Sequence, residues 1–223
     1  MKPSSQGHRP VAVTGRRERR RMSTEQRILD VALRFISERG FVNTTIDQIA
    51  EAADIAKGTF FNYFPNKEHL LMAFGERLVG RLETAAGTFS SKQAIGDQLR
   101  AAVQGVAGEW HNNRRLLRAI LGAALSNDST AAQFQDLLAR ARENVAVLIR
   151  EGQQRGEIRN DIPALALARL LQQTMIGTQL VWSLRPASNL SRTINQTLDL
   201  FWQGAAPQAM PRAHARSARR ETQ

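Results

Sequence analysis

Apolar residues recur along this chain three or four positions apart, the spacing of amphipathic helices, in nearly every segment between residues 23 and 204. The alternation of apolar and polar positions that marks a half-buried strand is scarce, and aromatic residues make up only 6% of the chain. The pattern predicts an all-α protein of about nine helices.

The shortest helical segments lie between residues 44 and 67, where two short helices are separated by a tight turn. Thr44 or Thr45 can cap the first helix, with Asp47 or Gln48 three residues later to complete a capping box. Asp54 falls in the turn, and aspartate tolerates the left-handed backbone that an abrupt corner between helices needs. These features predict a helix-turn-helix.

The second short helix combines a buried side with a polar one. Phe60 and Phe64, four residues apart, can fold back onto the first helix. Lys57, Thr59 and Asn62 then remain on the outward side, where lysine can address guanine and asparagine adenine in a major groove. The helix therefore suits DNA recognition, and Pro65 is expected to end it.

A series of motifs in this stretch, Thr-Thr, Ile-Ala, Lys-Gly-Thr-Phe, Tyr-Phe and Pro-Asn-Lys-Glu, follows a familiar order. It resembles the DNA-binding head of the TetR family of bacterial transcriptional regulators, and the resemblance extends over residues 27–71. Three positions depart from the family's usual glycine, serine and tyrosine, respectively: Asp54, Ala56 and Phe61. The alanine removes a capping hydroxyl, and the phenylalanine removes a phenol that often reaches a phosphate.

The resemblance assigns DNA contacts to eight positions: Thr45, Lys57, Gly58, Thr59, Phe61, Asn62, Tyr63 and Lys67. Thr45, Tyr63 and Lys67 suit phosphate contacts, while Gly58 allows the backbone to approach closely. A packing aromatic is the alternative for Tyr63, and a solvated charge is the alternative for Lys67.

The resemblance also implies a larger helical body that binds a small effector and dimerises, joined to the head by a connector helix near residues 67–85. Pocket candidates combine apolar surface with a few polar groups: Trp110, His111, Leu117, Ile120, Phe134, Met175 and Gln179. The last two helices match by position the pair that forms a four-helix dimer interface, with these candidates: Leu167, Leu171, Leu190, Ile194, Leu198, Phe201 and Trp202. Ordinary core is the alternative for both sets.

The net charge of +11 is concentrated in the two ends of the chain. Residues 1–21 contain seven lysines and arginines against Glu18 alone, and residues 207–223 contain four arginines against Glu221. Both ends lack apolar spacing, so we expect residues 1–22 and 205–223 to be disordered basic tails. Such tails suit a polyanion, although a solvated end that aids solubility is the alternative.

Catalytic and metal-binding chemistry has no support in the sequence. Cysteine is absent, the four histidines are isolated from one another, and no phosphate-binding loop, HExxH or GxSxG motif occurs. We therefore expect neither an enzyme nor a cofactor. No apolar run is long enough to span a membrane, and no signal peptide is recognisable, so we expect a soluble cytoplasmic protein without a membrane partner.

Together these inferences predict four regions: a basic arm (1–22), a DNA-binding domain (23–67, with its helix-turn-helix at about 45–64), a connector and effector-binding dimerisation domain (68–204), and a basic tail (205–223). The expected function is that of a homodimeric DNA-binding regulator, most often a repressor in this family, released from a double-stranded operator by a small effector. The alternatives are a general polyanion-binding protein and a helical carrier of small molecules.

Overall fold

The computed structural model describes residues 15–88, 90–109, 113–184 and 189–207. These ranges contain nine α-helices and no strand, which confirms the predicted all-α class. The helices are α1 (Arg16–Arg39), α2 (Ile46–Ala52), α3 (Lys57–Phe61), α4 (Glu68–Gly87), α5 (Ile95–Gly108), α6 (Arg114–Ser126), α7 (Asp128–Gln154), α8 (Ala164–Leu184) and α9 (Leu190–Ala205).

The chain forms two compact units, Met1–Leu70 and Leu71–Gln223, which we call the head and the body. The boundary between them lies inside α4, three residues later than the sequence placed it. Asn66 precedes α4, and its Oδ1 accepts a hydrogen bond from the His69 amide at 3.0 Å, which caps the start of that helix.

The head is held together by apolar side chains from its three complete helices. Ile28, Ala32 and Ile36 form one row on α1, and all three are fully buried. Ile49 of α2 and Phe60 of α3 are fully buried as well. Because the α1 residues are spaced four apart, a single side of that helix supplies its share of the core.

The first helix is longer than predicted. The sequence placed residues 1–22 in a disordered arm and began the DNA-binding domain at residue 23, but α1 begins at Arg16 and Gly15 is its N-cap. The prediction was wrong because it took apolar spacing as the mark of a helix, whereas arginine has a high intrinsic helix propensity of its own. Residues 1–14 of the predicted arm and residues 208–223 of the predicted tail lie outside the described part of the chain.

The body has its own core between α5 and α9. Ile95, Leu99, Leu116 and Ile149 are among its largest fully buried side chains. Asn127 caps the long helix α7, because its side chain accepts a hydrogen bond from the Thr130 amide at 3.1 Å.

Two negative findings apply to the described residues. None of the described helices is both long and apolar enough to cross a membrane. The same residues contain no group of three or more histidines and carboxylates arranged to hold a metal ion.

Candidate nucleic-acid interface and body cavity

The first helix of the helix-turn-helix begins with a complete capping box. The Thr45 hydroxyl accepts a hydrogen bond from the Gln48 amide at 3.3 Å, and the Gln48 side chain accepts one from the Thr45 amide at 3.1 Å. Thr44 is instead buried, and its hydroxyl donates to the Gly40 carbonyl at 2.9 Å. Of the two threonines and two partners left open by the sequence, the structure selects Thr45 and Gln48.

The turn between α2 and α3 is a Schellman motif with aspartate at the position that glycine usually occupies. Asp54 has a φ of 52°, in the left-handed region, as its sequence context predicted. Its amide donates to the Glu51 carbonyl and the Ile55 amide donates to the Ala50 carbonyl, both at 3.0 Å. These bonds close the end of α2 and set the corner from which α3 departs.

Three phenylalanines fix α3 within the head. Phe60 is fully buried and Phe64 nearly so, with ring centroids 5.7 Å apart. Phe61 meets Phe60 edge to face at 5.6 Å but remains 45% exposed. Regular helix ends at Phe61, before Pro65, so α3 is shorter than predicted. Ala56, its N-cap, makes no side-chain cap, as the missing hydroxyl implied.

Five of the predicted DNA contacts share α3 and its last turn: Lys57, Gly58, Thr59, Phe61 and Asn62. Lys57, Gly58, Phe61 and Asn62 are exposed, whereas Thr59 is half-buried. Lys57 is engaged at the surface, because its ammonium lies 2.9 Å from a carboxylate oxygen of Asp47. The uncovered side of α3 therefore presents a cation, an amide and an apolar ring side by side.

The other three predicted contacts differ in their surroundings. Thr45 is exposed but its hydroxyl belongs to the capping box, and Tyr63 is half-buried. Lys67 donates from Nζ to the carbonyl oxygens of Phe41 at 2.8 Å and Thr44 at 3.0 Å, and the same atom lies 4.3 Å from the centre of the Phe41 ring. Lys67 thus ties the loop between α1 and α2 to the start of α4, and its phosphate contact stays a prediction. Sequence reasoning missed these hydrogen bonds because Lys67 lies more than twenty positions from both Phe41 and Thr44.

The body contains a partly open cavity of about 170 Å³. Five of the predicted pocket residues line it: Leu117, Ile120, Phe134, Met175 and Gln179. Trp110 and His111 lie outside the described residues. The rest of the lining was not predicted as pocket, although Leu171 was predicted for the dimer interface. It consists of Leu71, Gly75, Leu78, Val79, Leu82, Val103, Val106, Leu121, Leu137, Leu138, Ala141, Val145, Leu171, Gln172 and Ile176.

Two glutamines provide the polar side chains of this lining, and no charged side chain is among the residues that form it. Gln172 is already bonded, because its Nε2 donates to the Leu138 carbonyl at 2.7 Å and its Oε1 accepts from Arg142 at 3.4 Å. Gln179 has no hydrogen-bond partner within the described part of the chain. The cavity thus offers an apolar surface with one unengaged amide.

Five of the seven residues predicted for a dimer interface are packed inside their own chain: Leu167, Leu171, Leu190, Ile194 and Leu198. Phe201 and Trp202 are half-buried. A side chain that the body's own core already covers offers little surface to a second chain, so the burial of these five favours the core alternative that the sequence left open. The exposed apolar side chains of α8 and α9 are different ones: Leu170, Leu180, Val181, Leu184 and Leu200.

Comparison with known proteins supports both units. The family model for bacterial regulatory proteins of the tetR family matches residues 28–74, and that for the tetracyclin repressor-like C-terminal domain matches residues 94–198. The transcriptional repressor KstR of Mycolicibacterium smegmatis is 30% identical over 192 residues, which cover 82% of this chain and 85% of KstR. The regulator UidR of Escherichia coli is 29% identical over 159 residues, covering 69% of this chain and 79% of UidR.

Solved structures agree on the fold. GusR of Salmonella enterica superimposes with a TM-score of 0.67 at 24% identity, covering 82% of this chain and 95% of that one. FadR of Thermus thermophilus, a repressor determined in complex with lauroyl-CoA, gives a TM-score of 0.64 at 24% identity, covering 84% and 97%. With its capped helix-turn-helix and matching sequence over both units, the chain belongs to the TetR family and is a sequence-specific DNA-binding transcriptional regulator.

Proposed function

We propose that this protein is a repressor that reads its operator through α3 and is released from it by a small uncharged molecule bound in the body cavity. The observation that carries the DNA-reading part is the geometry of the helix-turn-helix. A capping box, a Schellman turn and the buried Phe60 hold α3 so that Lys57 and Asn62 remain uncovered. Side chains that a rigid scaffold leaves exposed in this way suit base recognition.

Within α3, we assign base contacts to the amide of Asn62 and the ammonium of Lys57, with Thr59 beside them. Asparagine can bond an adenine edge through two atoms, and lysine can donate to guanine. Gly58 lets the backbone come close to the DNA, and Tyr63 is placed to meet a phosphate. Lys67 is left out of this set, since its ammonium already has two carbonyl partners in the head.

The test begins by selecting a preferred duplex from a random-sequence library with the full-length protein. The Asn62→Ala substitution should then weaken binding to that duplex by about 1–3 kcal/mol, with much less effect on an unrelated duplex. Gln133→Ala, which truncates an exposed amide on α7, is the matched control. Failure of the library to enrich any sequence would refute the proposed function, and an equal loss on both duplexes would assign Asn62 to the DNA backbone.

The proposed effector class follows from the cavity lining. A buried charge requires a partner, and the lining supplies none, so the bound part of the effector is uncharged. A volume near 170 Å³ admits a compact molecule, since a cavity of about 150 Å³ is enough for benzene. Lauroyl-CoA, bound by the Thermus FadR, carries phosphates for which this cavity has no cation.

Hexanol and hexanoate test this assignment, because they share a chain length and differ in charge. Hexanol should weaken binding to the selected duplex, and the duplex should weaken hexanol binding by the same factor. Ala141→Leu, which places a larger side chain in the cavity lining, should abolish the response, whereas Ala132→Leu, on an exposed position of α7, should preserve it. A response to hexanoate alone would contradict the uncharged class.

We also propose that the protein acts as a homodimer through the outer sides of α8 and α9. Leu170, Val181 and Leu184 lie on one side of α8 and are exposed, as is Leu200 of α9. Several large apolar side chains on one surface favour burial against another molecule. A dimer would read two half-sites about 34–36 Å apart, or a multiple of that distance.

Sedimentation equilibrium tests the dimer. Val181→Arg should convert the protein to monomer, since a charge in an apolar interface is costly. Leu125→Arg is the control, because Leu125 is 87% exposed on α6, outside the proposed interface. Val181→Arg protein that remains dimeric would exclude this surface.

A further inference from the structure

We propose that the first two turns of α1 form a second DNA-binding surface, which grips phosphates through Arg17 and Arg21 without reading sequence. The proposal rests on the proposed function, because the binding partner of this surface is the same DNA duplex that α3 is proposed to read. Residues 16–22 contain five arginines and a single acid, Glu18, and every residue of this segment is exposed. None of the five arginine side chains has a hydrogen bond or an ion pair within the described part of the chain.

The segment is poorly stabilised by the protein itself. Gly15 gives α1 no side-chain cap. Positive charges at a helix N-terminus oppose the helix dipole, and the pairs Arg16–Arg20 and Arg17–Arg21 place like charges four residues apart, where they repel. An anionic surface would remove both penalties, so the segment should become more firmly helical when it meets one.

Helix geometry separates these arginines into two rows. With about 100° between successive residues, Arg17 and Arg21 continue the row that farther along α1 buries Ile28 and Ala32. This inner row therefore lies on the side of α1 that packs into the head. Since the segment precedes the first buried residue, its guanidinium groups extend beyond the edge of the core instead of being covered by it.

The other pair, Arg16 and Arg20, lies in a different row. The same spacing aligns it with Arg27 and Arg34, which are exposed and lie on the side of α1 opposite the core. We call this the outer row. The two rows carry the same charge but point in different directions. Substituting each row separately therefore distinguishes a positioned phosphate contact from a general electrostatic attraction to DNA.

Phosphate is the group that the inner row fits. Arginine binds phosphate oxygens through a planar set of donors, and seven helical residues span about 10 Å, a length of duplex that carries roughly six phosphates. Contacts of this kind add affinity for any sequence. The surface should therefore strengthen binding to every duplex and leave the preference for the selected one unchanged.

The experiment compares R17Q/R21Q with R16Q/R20Q in the full-length protein. A third variant, K92Q/R150Q, removes two exposed cations from the body and controls for net charge. Each protein is titrated with the selected duplex and with an unrelated duplex across a salt series. Each lost phosphate contact should lower the slope of log affinity against log salt by about 0.9, so R17Q/R21Q should lose nearly two per subunit.

The proposal predicts that R16Q/R20Q and K92Q/R150Q keep most of the wild-type slope, and that all variants keep the ratio of affinities for the two duplexes. Equal slopes in all four proteins would overturn it. Equal losses of salt slope in R17Q/R21Q and R16Q/R20Q would contradict a positioned surface and indicate a diffuse electrostatic attraction. A collapse of the ratio of affinities for the two duplexes would show that the segment reads bases. The salt slope measured with the unrelated duplex reports phosphate contacts by itself. The proposal can therefore be tested even if the library yields no preferred sequence.

Hydrogen exchange provides a second readout that does not depend on substitution. In the wild-type protein, the amides of residues 19–22 should exchange more slowly when either duplex is present, because bound phosphates stabilise the first turns of α1. Unchanged exchange at saturating duplex would also overturn the proposal.

Discussion

The head and the body place their candidate functional residues in opposite environments. In the head, the side chains proposed to read DNA lie on the uncovered side of α3, while a separate set of residues forms the core. In the body, Leu117, Ile120, Leu171 and Met175 are core residues and also line the cavity. Function and stability can therefore be separated by mutation in the head, whereas in the body they are coupled.

Neighbouring residues with opposite burial offer a direct way to examine this contrast. Phe60 and Phe61 of α3 are adjacent and chemically identical, and so are Leu170 and Leu171 of α8. Lys57 and Lys67 were both predicted to contact DNA, yet one is paired at the surface and the other is bonded within the head.

The largest effect is expected from Phe60→Ala, which should lower the free energy of unfolding by about 3–5 kcal/mol because it empties a fully buried site. Phe61→Ala should cost about 1 kcal/mol, the value of an aromatic pair. Urea titration followed by circular dichroism measures both, at one protein concentration. All three tryptophans lie in the body, so fluorescence should show that its unfolding is unchanged. Equal losses from the two alanines would mean that the ring of Phe61 is buried in solution.

Leu171→Ala should lower the free energy of unfolding of the body by about 2–5 kcal/mol, since Leu171 is only 2% exposed. The substitution also enlarges the cavity, so hexanol affinity should change with it. Leu170→Ala removes a side chain that is 56% exposed. It should change the free energy of unfolding of the monomer by no more than about 0.5 kcal/mol. Its effect should instead appear in sedimentation as weaker dimerisation. A dimer unaffected by Leu170→Ala would narrow the proposed interface to the Val181 end of α8.

Substitution of Lys67 and of Lys57 should give the next largest difference in the free energy of unfolding. Lys67→Met should destabilise the head by about 1.5–3 kcal/mol, because two carbonyl oxygens lose a charged donor while the apolar stem is kept. Lys57→Met should change stability by no more than about 1 kcal/mol, as expected for an exposed ion pair, but should weaken binding to the selected duplex. Urea titration and duplex binding are measured for each variant. A stable Lys67→Met protein with impaired binding would restore the phosphate-contact assignment.

The smallest effect is expected from Asp47→Asn, which releases Lys57 from its carboxylate partner. Stability should change by less than about 1 kcal/mol, since both side chains are more than half exposed. Removal of a negative charge beside α3 should strengthen binding to the selected and the unrelated duplex alike. Weaker binding to the selected duplex would show that Asp47 positions Lys57 for base recognition.

Local features of the head were readable from the sequence because the interactions that produce them span few residues. The Thr45–Gln48 capping box and the left-handed Asp54 depend on partners no more than five positions away. The helical period likewise indicated which residues of α3 face inward. The family resemblance added the DNA-binding role, and the matching family models confirm it.

Long-range packing could not be read from the sequence where a pattern had more than one solution. Apolar residues of α8 extend around much of the helix, so that Leu171 is buried while the adjacent Leu170 is exposed, and nothing local tells which of them meets the body's own core. The contact of Lys67 with Phe41 and Thr44 likewise depends on how the chain folds back on itself.

By itself, the sequence determined the class of fold, the helix-turn-helix and the local features that shape α3, since propensity, capping and helical period act over one or two turns. The tertiary structure decided which apolar side chains are core and which remain exposed, where the cavity lies, and that Lys67 is bonded within the head while Lys57 is paired at its surface. These outcomes depend on contacts between distant segments, because burial is a property of the packed chain and not of any helix alone.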